Sequence, residues 1–318
     1  MAHRHTHDAS EYNWAFAVGG ALNVGFVVVE AVFGFLAGSL ALLADAGHNA
    51  GDVLGLFLAW GANMLMQRPP TRRHTYGWRG SSILAALLNA LILLVAVGGI
   101  VREAVGRFVN PEPVASATII WVAVVGTVIN LATALLFVSG RKRDLNVRGA
   151  FTHMAADAGV SAGVVVVGLA IRATAWLWLD PAVSLVIAGV IFWGTWGVLR
   201  DAFNLAIGGA PQDIDVTAVH DYLIGLPGVE DVHDLHVWGL STAEVALTAH
   251  LVKPDPCDDD VLVEQATGEL QVRFDIDHVT LQWERGGLAE CRDRACDKGI
   301  CDLPEGERSA EERDVPTA

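Results

Sequence analysis

The chain has 318 residues, of which 53% are hydrophobic and only 18% charged, with a mean hydropathy of +0.42. That composition argues against a soluble or disordered chain, and the length admits about two domains rather than a large multidomain enzyme. The net charge of −15 divides unevenly, since residues 1–204 hold 13 basic and 11 acidic residues and residues 205–318 hold 8 and 25; two different objects join near residue 205, and the acidic one repels nucleic-acid phosphates.

The chain opens on a polar segment, 1–13, whose His3, His5 and His7 read either as a site that pre-binds metal or as an incidental run. The apolar run that follows is too long for a signal-peptide core and has no cleavage motif, so it is expected to be a first membrane helix. A bilayer core of about 30 Å needs about 20 mostly apolar residues per helix. Six stretches satisfy this: 14–37, 40–66, 81–103, 114–139, 150–172 and 181–204. Six spans put both termini on one side. The second-to-third connection (Arg68, Arg72, Arg73, Arg79) and the fourth-to-fifth (Arg141, Lys142, Arg143, Arg148) carry eight basic residues, against Arg102, Arg107 and Arg172 in the other three. The positive-inside bias therefore expects both termini, and the acidic module, in the cytoplasm. Glycines inside the spans, Gly159 with Gly163 and Gly189 with Gly194 and Gly197, predict close helix approach, and pairs four apart also read as a dimer face.

Ionisable groups in mid-span are expensive and point to function, which singles out Glu30, Asp45, His48, Asp52, His153 and Asp157. Four of them repeat one pattern: His48 with Asp52 in the second span, and His153 with Asp157 in the fifth. A spacing of four puts both side chains on one helix face, a turn apart. If the two faces meet, two imidazole nitrogens and two carboxylate oxygens converge, a set suited to tetrahedral Zn2+ and usable by Cd2+ or Co2+. A divalent cation also neutralises two carboxylates that are costly in lipid, although hydrogen-bond pairs that merely hold the bundle use the same residues. Ligand histidines must be deprotonated, so such a site can exchange protons for metal. Asp45 reads either as an acceptor for a ligand histidine or as polar lining of the cavity. Glu30, Asn23, Asn89 and Asn130 are expected to hydrogen-bond between helices.

From about residue 211 the pattern becomes that of a short soluble fold. Asp213 is expected to cap a helix over 214–225, alternating stretches at 229–240 and 243–253 read as a hairpin, Asp258 or Asp259 starts a helix to about 273, and 277–284 reads as a last strand. The organisation predicted is thus a polar N-terminus (1–13), an all-α six-helix transmembrane bundle (14–204), a small cytoplasmic α+β domain of order αββαβ (205–285) and a cysteine-containing tail (286–318) expected to be disordered. The four cysteines, Cys257, Cys291, Cys296 and Cys301, fit reduced thiols facing the cytosol, and the spacing of five in the tail is not that of a zinc knuckle.

Several motifs in order, Gly38-Ser-Leu-Ala-Leu-Leu-Ala-Asp45-Ala-Gly-His48 with Asp52, His74-Thr-Tyr-Gly-Trp78-Arg79, Asn89, His153 with Asp157, and His233-Asp-Leu-His236-Val-Trp238, give the chain from about 14 to 291 a resemblance to the cation diffusion facilitator family, six-span exporters of zinc and related metals. The resemblance implies that His48, Asp52, His153 and Asp157 are the transport-site ligands, with histidine at the first position as in the zinc-preferring branch. It also implies a homodimer in a bacterial inner membrane, exchange of cytoplasmic metal for external protons, and a C-terminal domain similar to a metallochaperone that takes Zn2+ as a regulatory ligand. For the cytoplasmic domain it suggests His233 and His250 as ligands, joined by Glu284 and Cys291. His278 matches a further metal position of the family, yet Thr280 follows where some members carry aspartate; His74 resembles one ligand of a loop site but lacks neighbouring partners. Two rival readings remain, a membrane receptor that binds zinc without moving it and a zinc metalloenzyme. Four protein ligands leave no open coordination position and no His-Glu-x-x-His sequence is present, so an enzyme is not expected.

Overall fold

The computed structural model describes residues 13–138, 145–257 and 259–285. Six long helices come first: α1 (Asn13–Ala37), α2 (Leu40–Met66), α3 (Ser81–Val109), α4 (Ser116–Phe137), α5 (Leu145–Thr174) and α6 (Leu179–Ala206). Among the described residues five are long and apolar enough to cross a membrane, within α1, α3, α4, α5 and α6. α2 is not one of these, because Asp45, His48, Asn49 and Asp52 dilute its hydropathy. α3 runs six residues past the expected end at 103, through a turn in which Arg107 pairs with Glu103 at 3.4 Å. α5 starts five residues before the expected 150, since a hydropathy window does not register its polar but helix-compatible first turns.

The described residues divide into two units, one within Met1–Gly61 and Ala85–Leu199, the other within Ala62–Leu84 and Arg200–Ala318. In the first, all six helices feed one apolar core, with Phe26, Leu42, Val97, Ile119, Val164 and Ile187 among its members. Close helix approach occurs at glycines other than those expected. A Cβ on Gly126 would lie 2.5 Å from the Phe26 ring, and one on Gly168 would lie 2.8 Å from Ile120, whereas Gly159, Gly163, Gly189, Gly194 and Gly197 have nothing within 4 Å. The latter five face away from the helices of their own unit.

The second unit has the order α7 (Val216–Ile224), β1 (Asp231–Gly239), β2 (Val245–Val252), α8 (Asp259–Phe274), β3 (His278–Glu284). The N-cap of α7 is Asp215, not Asp213: its carboxylate accepts from the amides of Thr217 and Ala218 at 2.9 and 3.1 Å. β1 and β2 form an antiparallel hairpin, and α8 carries the chain across so that β3 lies parallel to β2, giving the sheet order β1-β2-β3. The helices cover one face through Val219, Leu223 and Leu270. Buried Lys253 fastens the β2–α8 connection by donating to the Asp255 carbonyl at 2.5 Å and to Asp259 at 2.9 Å. Arg285 donates to Asp259 as well, and the two cations hold that carboxyl below the ordinary carboxylate range. Residues 62–84 pack into this unit. Arg79 pairs with Glu244 at 3.2 Å, the Thr242 amide donates to Ser82 Oγ at 3.0 Å, and Tyr76 meets His278 edge-on with ring centroids 5.5 Å apart.

The glycine contrast is directly testable. Gly126→Ala is expected to destabilise the protein by about 1–3 kcal/mol through overpacking against Phe26, whereas Gly163→Ala gains up to about 1 kcal/mol of helix propensity. Thermal unfolding of the two variants in detergent should move in opposite directions.

Candidate metal centres

The first cluster lies in the helical unit. α2 presents His48 and Asp52 on one face, α5 presents His153 and Asp157, and the two faces meet. His48 Nε2 stands 3.8 Å from Asp52 Oδ2 and 3.5 Å from Asp157 Oδ1. His153 Nε2 stands 3.2 Å from Asp52 Oδ2 and 3.5 Å from Asp157 Oδ2. The four side chains therefore close a ring in which each imidazole faces two carboxylates, one from either helix. Ligand atoms of Asp52, His153 and Asp157 all lie within 4.8 Å of one another. Asp157 is almost completely buried, while the other three are partly exposed. Asp52 Oδ2 and Asp157 Oδ2 are buried without hydrogen-bond geometry to any described donor, which leaves lone pairs available to a cation.

The neighbouring acids have partners of their own. Asp45, fully buried, accepts from Ser161 Oγ at 2.9 Å, and Glu30 accepts from Asn49 Nδ2 at 3.2 Å. Asp45 thus lines the interior beside the ring and bonds to a hydroxyl, with no histidine contact among the described hydrogen bonds. Glu30 links α1 to α2 as expected. Asn130 departs from expectation: it is buried, and neither atom of its amide finds a partner among the described residues.

The second cluster lies on the sheet. Register sets His233 opposite His250 across the hairpin and Glu284 opposite Val252 across the parallel pair. Glu284 consequently bridges both imidazoles, with Oε2 at 3.0 Å from His233 Nε2 and Oε1 at 2.8 Å from His250 Nδ1. Sequence reading missed Asp234. Strict alternation would send it to the face opposite His233, but β1 is bulged between His233 and His236, with Asp234 at φ +52°. The bulge turns its carboxylate toward His250 Nε2 at 3.6 Å and His236 Nε2 at 2.9 Å. A non-glycine residue with positive φ is uncommon and recurs at functional sites, yet no sequence signal announces it.

The other expected ligands stand apart. Exposed His74 stacks on Trp78 with centroids 4.3 Å apart and has its Nδ1 3.4 Å from Thr71 Oγ1. His278 meets Tyr76, and Thr280 lies opposite Thr248 in mid-sheet. Neither histidine belongs to a metal-competent group among the described residues. Cys291, with Cys296, Cys301 and the N-terminal histidines, lies outside the described residues.

Residues 17–205 match the model of the cation efflux transmembrane domain, and residues 211–286 match that of the cation efflux protein cytoplasmic domain. The chain belongs to the cation efflux family. Similar members of the family include the zinc transporter ZitB of Shigella flexneri, 37% identical over 96% of this chain and 97% of its own length. The cation efflux system protein CzcD of an Alcaligenes species is 34% identical over 92% of each chain. The cadmium, cobalt and zinc/H(+)-K(+) antiporter of Bacillus subtilis is 32% identical over 89% of this chain and 92% of its own. Cation efflux proteins are transporters, so the chain is an integral membrane protein and not an enzyme. The metalloenzyme reading falls with that assignment.

The sheet cluster makes its own test. As a candidate zinc site it predicts that replacing His250 by Ala, or Glu284 by Gln, lowers the zinc bound by the full-length protein by one or weakens it by more than about tenfold, as read by calorimetric titration in detergent.

Proposed function

We propose that the protein exports cytoplasmic Zn2+ in exchange for protons, with Cd2+ and Co2+ as further substrates, and that His48, Asp52, His153 and Asp157 bind the ion in transit. The observation that carries this reading is the closed ring of two imidazoles and two carboxylates joining α2 to α5 inside an apolar bundle. The relatives named above support it, since they include a zinc transporter and a cadmium, cobalt and zinc antiporter.

The chemistry follows from the ligand set. Two carboxylates balance the charge of a divalent ion, and two imidazoles give the nitrogen ligands that Zn2+ takes in preference to Mg2+ or Ca2+. An imidazole ligates only when neutral, so metal entry releases any proton it holds, and metal departure lets the proton return. One site thereby alternates between two cargoes that cannot occupy it together, which is the minimum an antiporter needs. On this reading α2 is a sixth span despite its polar face, because that face looks inward at the site. Both termini then lie in the cytoplasm, residues 14–204 form the transport unit, and residues 205–285 form a domain through which two copies pair. The sheet cluster of His233, His250 and Glu284 is the regulatory zinc site of that domain.

The test is zinc flux into proteoliposomes under an imposed pH gradient, with internal zinc and pH read together. Wild-type protein should take up zinc against counter-moving protons, and Asp157→Ala should abolish both movements while still eluting as a dimer. Full transport by a well-expressed Asp157→Ala protein would overturn the site. Binding without movement of either ion would leave a receptor.

A further inference from the structure

The N-terminus of α2 is fastened by a residue far from it in the chain. Asp180, in the first turn of α6, has a side chain only 1% exposed, and both its oxygens serve the start of α2. Oδ1 accepts from Ser39 Oγ at 2.6 Å and from the Ala41 amide at 3.3 Å; Oδ2 accepts from the Leu40 amide at 2.8 Å. Ser39 Oγ in turn accepts from the Leu42 amide at 3.3 Å. Three amides of the first turn, which no helix can satisfy internally, are thus met by one buried carboxylate and the hydroxyl it orients. Arg107 of α3 completes the knot. It stands 3.9 Å from Asp180 Oδ2 and donates to the Gly38 carbonyl in the α1–α2 turn.

A helix is ordinarily capped by the residue that precedes it, and Ser39 is already there to do so. A second cap supplied by another helix adds something local capping lacks, because it fixes the axial height and rotation of α2 against α6 and α3. The face so fixed is the one that bears the metal site. His48 lies eight residues after Leu40, about 12 Å along a rigid helix axis, with no glycine between them other than Gly47. Any slip at the N-terminus is therefore delivered to His48 and Asp52, while His153 and Asp157 stay with α5.

We propose that Asp180 is a positioning residue for the metal site, holding α2 where His48 and Asp52 meet His153 and Asp157. The proposal rests on reading those four residues as the site that binds the transported ion. Aspartate suits this role because it presents two acceptor oxygens and a charge that complements both the helix N-terminus and Arg107. Asparagine has the same shape but sets an N–H against N–H or O–H donors on one side.

The probe is Co2+ bound to the full-length protein in detergent, in a His250→Ala background that silences the sheet cluster, with the visible absorption bands reporting ligand geometry. Asp180→Asn is expected to weaken Co2+ binding between about tenfold and a hundredfold and to reduce the tetrahedral bands. In proteoliposomes it should raise the KM for Zn2+ by a larger factor than it lowers the maximal rate. Ser39→Ala, which deletes the two bonds of the hydroxyl but leaves the carboxylate on the Leu40 and Ala41 amides, should give a smaller change of the same kind, and Asp180→Glu should recover part of the loss. Should Asp180→Asn fail to fold, Ser39→Ala decides by the same readouts. Folded variants with a lowered melting temperature but wild-type Co2+ spectra and KM would reduce Asp180 to a structural role and overturn the proposal. A spectrum insensitive to His153→Ala would overturn the reading of the site, and the positioning role with it. A spectrum sensitive to His153→Ala but unmoved by Asp180→Asn would overturn the positioning role alone.

Discussion

A carboxylate inside an apolar bundle has to be met by a cation or by donors, because the desolvation it suffers is not otherwise recovered. The helical unit contains several such groups, and each is met across a helix boundary. Glu30 of α1 accepts from Asn49 of α2, Asp45 of α2 from Ser161 of α5, and Asp180 of α6 from the start of α2. Asp52 and Asp157 stand beside imidazoles of both α2 and α5, with one oxygen of each lacking a hydrogen-bonded donor among the described residues. All these links involve α2 except the contacts internal to α5, so the most polar helix is also the one that the others hold. Polarity that makes α2 a poor membrane span by composition makes it the organising element of the unit.

Topology does comparable work in the small unit. The hairpin brings His233 and His250 together, but only the crossover through α8 allows β3 to arrive parallel and end with Glu284 between them. Because side chains alternate along a strand, a slip of one residue in β3 would turn Glu284 to the other face. The helices that bury Val219 and Leu270 against the sheet therefore set the placement of Glu284 as well as stability.

Much of this was legible from spacing alone. Two residues four apart on a helix must share a face, and the same pair written twice made the meeting of α2 with α5 the economical reading. The order of elements after residue 211 followed from alternation and capping signals, although the cap itself moved from Asp213 to Asp215, since both aspartates precede the helix and only packing distinguishes them. What stayed hidden depends on contacts distant in sequence or on backbone irregularity. Asp180 lies just before the expected start of the sixth span at 181, and its partners lie about 140 residues away, so spacing gives no sign of its role. Asp234 needed a bulge that a period-two pattern does not foresee. The glycines were misjudged because composition shows that a residue is small but not what faces it.

The bridge made by Glu284 has a thermodynamic consequence for the zinc site proposed on the sheet. His233 shares a hydrogen bond with Glu284 at 3.0 Å and His250 stands 2.8 Å from the other carboxylate oxygen, so an ion bound there would displace these contacts and gain only the difference. Ions that bind nitrogen well exceed that threshold, whereas Mg2+ and Ca2+, which favour all-oxygen shells and are far more abundant in cells, gain too little from the exchange. As a zinc site the cluster would thus discriminate by donor chemistry, through the contacts an ion has to displace, before any fit of size is asked.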